Sequence, residues 1–153
     1  MSAYYHRNLP HYHPDNVALF MTFRLAGSLP LGILTKLKTE RKLDKQKASE
    51  SRQYLKEKNY FDKYDTWLYQ YKDSPKWLSQ SEIACIVASK IEELSGKYYH
   101  LLAYCIMPNH VHMLIINKLS AKELSPQGKF LKYPVANSLR LLKGSTARKC
   151  NQA

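Results

Sequence analysis

Residues 101–116, LLAYCIMPNHVHMLII, decide how this chain folds. Two apolar runs, Tyr98 to Met107 and His110 to Ile116, flank Pro108-Asn109; each run reads as a strand and the Pro-Asn pair as the turn between them. In the second run His110 and His112 stand two positions apart, so an extended backbone turns both imidazoles to one face. Val111 then faces the opposite way, into an apolar layer. Burying two imidazoles among Met, Leu and Ile costs free energy unless polar groups meet them, so a polar partner is expected opposite the pair. Neighbouring imidazoles can share one cation. They can also be neutral and hydrogen-bonded, which is the commoner state of a bare His-x-His. The pair His11 and His13 has the same spacing around Tyr12, but between Pro10 and Pro14, and reads as a non-catalytic surface contact with DNA.

Outward from this segment, Val17 to Leu25 (VALFMTFRL) mixes β-branched, aromatic and aliphatic residues too continuously for a one-faced surface strand. It reads as a central strand ended by Gly27-Ser28-Leu29-Pro30. The prolines of Met1 to Asn16 predict an extended, irregular lead-in. Leu31 to Lys58 is charged, with sparse apolar positions at Leu34, Leu37, Leu43 and Leu55, and reads as one solvated helix. The aromatic stretch Tyr60 to Trp77 predicts a short helix and a turn at Asp73-Ser74-Pro75, its rings packed on the core. A mixture of aromatic and basic residues can also stack bases. Ser79 or Ser81 is placed to cap a helix to about Ser95, with Ile83, Val87, Ile91 and Leu94 on one stripe and Gly96 as its stop. Asn117 to Lys132 reads as a loop. After Pro134 a helix turns Val135, Leu139 and Leu142 inward and Arg140 and Lys143 outward, breaks at Gly144, and resumes from a Ser145 cap through Arg148 and Lys149.

The 153 residues suit one α+β domain spanning 1–153, with 31–77 as a helical insertion within it, and 44% hydrophobic residues are enough to build a core. No run approaches the roughly 20 apolar residues of a membrane-spanning helix, and the N-terminus has no signal-peptide core, so a cytoplasmic protein is expected. Lys and Arg number 24 against 12 Asp and Glu, a net charge of +12. Such an excess concentrates polyanions before any specific contact forms, which puts nucleic acid first among partners; an anionic membrane surface would also be attracted. Cys85, Cys105 and Cys150 lack CxxC spacing and read as reduced, mostly structural thiols.

The segment LLAYCIMPNHVHMLI resembles the HUH motif region (His, bulky hydrophobic, His) of single-tyrosine HUH transposases. RNLPHYHPDNVALFMTFRLAGSLP, WLSQSEIACIVASKIEEL and SLRLLKGSTARK resemble, in the same order, the corresponding parts of the branch called REP-associated tyrosine transposases. The resemblance implies an antiparallel sheet of ferredoxin-like or palm-like type, helices on one face, and the HUH motif on a central strand. It implies cleavage and rejoining of single-stranded DNA near hairpins by a monomer or homodimer. A tyrosine attacks the scissile phosphate, forms a 5′-phosphotyrosine link and releases a 3′-OH, while Mg2+ or Mn2+ held by His110 and His112 polarises the phosphate. Paired imidazoles alone would favour zinc or another later transition metal, and an oxygen ligand would ease that tension.

The resemblance places the nucleophile, and the third metal ligand, on a helix after the segment matched by SLRLLKGSTARK. The chain ends at Ala153 ahead of such a helix, so a shortened transposase is expected, with no catalytic residue of its own. Tyr98, Tyr99, Tyr104 and Tyr133 read as core or interface residues. Arg140, Lys143, Arg148 and Lys149, with Arg7 of the lead-in, are the expected phosphate contacts; each is also readable as a solvated surface charge. The alternatives are a catalytically dead, hairpin-binding regulatory remnant and, further off, a ferredoxin-like RNA-binding domain.

Overall fold

The computed structural model describes residues 4–6, 10–12, 17–47, 50–116 and 134–152. Along the chain run β1 (Tyr4–His6), β2 (Pro10–Tyr12), β3 (Ala18–Arg24), α1 (Leu31–Lys47), α2 (Glu50–Gln70), α3 (Ser81–Leu94), β4 (His100–Ile106), β5 (His110–Ile116) and α4 (Pro134–Cys150). A 3-10 turn, Trp77–Ser79, precedes α3. The chain is therefore α+β, with four α-helices and a three-stranded antiparallel sheet of order β3-β5-β4 among the described residues.

The runs on either side of Pro108-Asn109 pair as expected, with His100 opposite Ile116 and Ile106 opposite Val111. On the other edge, contacts run from Leu25 to Asn109 and from Thr22 to His112, so β3 also lies antiparallel to β5. β5 is thus the middle strand. Val111, Met113 and Ile115 alternate on one face and are all buried, which is what a β-branched and aliphatic run of period two dictates once both neighbours are in place.

The chain divides into two compact units, one of Met1–Phe23, Trp77–Met107 and Val111–Ala153, the other of Arg24–Lys76 and Pro108–His110. In the first, α3 packs against α4 and β4, burying the Val87, Ile91 and Leu94 stripe that its sequence predicts. Gly96, at φ +81°, follows the helix in the left-handed conformation that favours glycine. Tyr99 is buried, and its hydroxyl donates to the Ile91 carbonyl at 2.6 Å. In the second unit α1 and α2 pair antiparallel. Arg41–Glu57, Lys56–Asp44 and Lys63–Glu40 bridge them at the surface, and Leu37 and Leu68 are buried. Such exposed bridges contribute on the order of 0.2–1 kcal/mol each, so the apolar contacts carry the pairing.

Several expectations are corrected. Among the described residues of the lead-in, β1 and β2 are regular rather than irregular and form an antiparallel ladder pairing Tyr4 with Tyr12 and His6 with Pro10. Pro10 begins its strand, where a missing N–H is tolerated. Leu31 to Lys58 is two helices rather than one, and α2 continues through the expected start of the aromatic helix to Gln70. Its rings are not uniformly packed away, since Trp67, Tyr69 and Trp77 are exposed. Helical spacing puts Tyr60, Tyr64 and Leu68 on one face and Tyr69 on the opposite side, while Trp67, at the edge of the first face, is still 40% exposed. Neither serine caps α3; its N-cap is Gln80, with no side-chain cap bond. Cys85 and Cys105 are exposed free thiols rather than structural ones. Asn117 to Lys132, Tyr133, His13 and Arg7 lie outside the described residues.

α4 does not break at Gly144 but runs unbroken to Cys150. Val135, Ser138, Leu142 and Thr146 form a buried stripe at helical spacing, and continuing that stripe outweighs the roughly 1 kcal/mol that a mid-helix glycine costs. Open space surrounds the position where a Cβ would stand. Gly144→Ala is therefore expected to raise the free energy of unfolding by about 0.5–1 kcal/mol, measured by urea denaturation. A second expectation concerns alkali. Burial pushes the Tyr99 phenol from 10.0 up to about 12. The folded state holds that proton more tightly than the unfolded chain, so this contribution is complete below about pH 10 and is lost as pH rises through about 12. The fall in melting temperature across that window should be smaller in Tyr99→Phe than in the parent.

Candidate metal centre

The site is built from the residue that precedes the strand. Asn109 is buried, and its Nδ2 donates to the Leu68 carbonyl at 2.8 Å and to Ser74 Oγ at 2.9 Å. Its backbone carbonyl accepts from Leu25 N–H at 2.9 Å and from Ser28 Oγ at 3.0 Å. Its Oδ1 lies 2.5 Å from His110 Nδ1. The turn before β5 is thereby anchored to the end of α2, to the bend at Ser74 and to the end of β3.

His110, the first residue of β5, is 2% exposed. Its Nε2 lies 3.7 Å from Asp65 Oδ1, an oxygen shielded from solvent. Asp65 stands on α2 three residues before buried Leu68, so the turn of the helix that seats the leucine also brings the carboxylate inward. His112 follows two positions along β5, half-buried, with its Nδ1 2.8 Å from Thr22 Oγ1. The Phe20 ring lies 5.3 Å from the His112 ring, tilted by 33°, and Phe20 is 54% exposed.

Asp65, His110 and His112 each offer one ligand atom, all within 4.8 Å of one another, and could hold a metal ion. Donors bound to one first-row ion sit at about 2.0–2.2 Å from it, so this spread closes onto an ion with side-chain shifts of about 1 Å or less. Two imidazoles and a carboxylate suit Mn, Fe, Co and Zn; Mg2+ prefers oxygen and water throughout. Each imidazole also has a polar neighbour on Nδ1, the arrangement that leaves Nε2 to ligate.

The expectation that polar groups meet the two histidines holds, through Thr22, Asn109 and Asp65. None of these three was singled out in the sequence. Thr22 could have been noticed as the lone hydroxyl in VALFMTFRL, and Asn109 as the turn residue beside the first histidine. Asp65 sits among aromatics forty-five positions upstream of His110, and no spacing rule connects them. It also offers a carboxylate oxygen that could serve as a ligand, where the resemblance implies a third ligand on a helix after the segment matched by SLRLLKGSTARK.

Arg140, Lys143, Arg148 and Lys149 all lie exposed on α4. Lys143 Nζ stands 5.8 Å over the Phe23 ring. Lys149 belongs to a local cluster of charge: the Glu93 carboxyl is held below the usual range by its hydrogen bond from Lys90, with Lys90, Lys97 and Lys149 adding electrostatic attraction. Arg148 and Lys149 also occupy the last turn of α4, where cations complement the helix dipole. No family model, curated protein or solved structure matches the chain.

Titration of the protein with Mn2+ or Co2+, followed by calorimetry and by the Co2+ visible spectrum, tests the centre. One ion per chain is expected, with affinity abolished in His110→Ala/His112→Ala and lowered at least tenfold in Asp65→Asn. Unchanged affinity in Asp65→Asn would remove the carboxylate from the ligand set.

Proposed function

We propose that this chain is a DNA-handling domain of the single-tyrosine HUH transposase kind, with a ferredoxin-like or palm-like sheet, that binds single-stranded or hairpin-flanked DNA at a divalent metal centre. The observation that carries the reading is the convergence of His110, His112 and Asp65 at the middle strand of a chain with a net charge of +12. The sequence resemblance of four ordered segments supports it independently of the geometry.

A bound divalent ion, Mn2+ before Mg2+ on this donor set, supplies Lewis-acid polarisation of a phosphate oxygen. His110 and His112 orient that ion from a strand held on both edges, and Asp65 lowers the net charge of the centre by one. Exposed Arg140, Lys143, Arg148 and Lys149 contribute to gripping the DNA backbone, each neutralised phosphate releasing condensed counterions. The described tyrosines Tyr99 and Tyr104 have structural duties: the first is bonded to the Ile91 carbonyl, and the second donates to Glu92 at 2.7 Å, which raises its phenol pKa.

Binding of a fluorescent DNA hairpin with a single-stranded flank, measured against salt in the presence of Mn2+, tests the reading. Affinity is expected to fall linearly on a log–log plot, and each of Arg140→Ala, Lys143→Ala, Arg148→Ala and Lys149→Ala that removes a phosphate contact should lessen the slope by about 1. Affinity indifferent to both salt and Mn2+ would overturn it. Affinity that depends on salt but not on Mn2+ or the histidines would favour the regulatory remnant.

A further inference from the structure

We infer that Asn109 is a positioning residue for the metal centre: its carboxamide, held by Leu68 and Ser74, locks His110 in the tautomer that carries its proton on Nδ1 and presents the Nε2 lone pair toward Asp65. The inference rests on the metal-binding part of the reading above and is independent of the DNA.

A carboxamide has one acceptor oxygen and two N–H donors. The Leu68 carbonyl can only accept, so the group 2.8 Å from it must be the Asn109 NH2. A flipped amide would set two carbonyl oxygens face to face. Ser74 Oγ, at 2.9 Å, takes the second N–H. With the amide orientation settled by its own partners, the atom meeting His110 is Oδ1, at 2.5 Å from Nδ1. A carbonyl oxygen donates nothing, so Nδ1 carries the hydrogen. A neutral imidazole has a single N–H, which leaves a lone pair on Nε2.

That lone pair faces a carboxylate oxygen at 3.7 Å. Both are electron-pair donors, an arrangement suited to a shared cation. The lock sits where water cannot replace it, since Asn109 is 5% and His110 2% exposed. The opposite tautomer would leave the Oδ1 carbonyl against a bare nitrogen and point an N–H into the ligand position. The geometry also explains why the residue before the first histidine is an asparagine. A leucine of similar size could fill the space but could not choose a tautomer, and an aspartate could accept from Nδ1 but not donate to Leu68.

The test needs no DNA and, in its first arm, no metal. Long-range 1H–15N correlation spectra of the whole chain near pH 8, with the His110 signals identified by their loss in His110→Gln, show which nitrogen is protonated. The proton is expected on Nδ1; a proton on Nε2 in the parent protein would overturn the inference outright. In the second arm Asn109→Leu should mix the tautomers and weaken Co2+ binding about 10- to 100-fold. Asn109→Leu with the parent's tautomer and affinity would also overturn it. Should Asn109→Leu fail to fold, Ser74→Ala, which frees one amide hydrogen, is expected to cost Co2+ affinity several-fold, and no loss there counts against the lock. A parent protein with the Nδ1 proton but no affinity for Mn2+ or Co2+ would defeat the metal reading and leave the tautomer assignment standing.

Discussion

The Asn109 carboxamide and the carbonyl of the same residue make five hydrogen-bonding contacts, with Leu68, Ser74, His110, Leu25 and Ser28. Four of them join segments that are distant in sequence, the fifth fixes the neighbouring His110, and Asn109 itself has little access to water. Losing one such partner in a buried setting costs about 1–3 kcal/mol, because the abandoned group stays desolvated. The turn before β5 is therefore a determined position, and the first histidine inherits its placement from it. The candidate metal site depends on this constraint more than on any property of the histidines themselves.

β5 combines two environments that a single strand can separate because its side chains alternate. Val111, Met113 and Ile115 enter an apolar layer, and His110 and His112 take the other face, where Asp65 and Thr22 meet them. Two imidazoles on an edge strand would be solvated and mobile. In the middle strand, hydrogen-bonded on both sides, they keep a fixed separation, which is what shared coordination of one ion needs. The excess of basic residues acts at a different level. A net charge of +12 attracts polyanions in general and by itself carries no sequence selectivity.

The departures from expectation share a cause. Gly144 and the paired serines before α3 were read as local signals of helix ends, yet α4 continues and α3 starts without a side-chain cap, because a buried apolar stripe outweighs one residue's preference. The aromatic residues of α2 were read by composition as core, but the face of a helix, rather than the type of ring, decides burial. Tyr69 is 77% exposed one residue after buried Leu68. Local rules worked where they agreed with packing, as at Gly96 and along Val87, Ile91 and Leu94.

What the chain's own residue order determined is the pairing of strands around Pro108-Asn109, the facing of His110 and His112 to one side with Val111 to the other, and the main amphipathic stripes of α3 and α4. These follow from periods of two and of 3.6, which are local properties of the backbone. Tertiary structure alone decided the carboxylate that could serve as a third ligand, the hydroxyl beside His112 and the amide beside His110. Asp65 meets His110 across forty-five residues because α2 must bury Leu68, and Thr22 meets His112 because β3 lies antiparallel to β5. No pattern along the sequence encodes such meetings. They arise when separate elements bury their apolar faces and bring along the polar groups those faces carry.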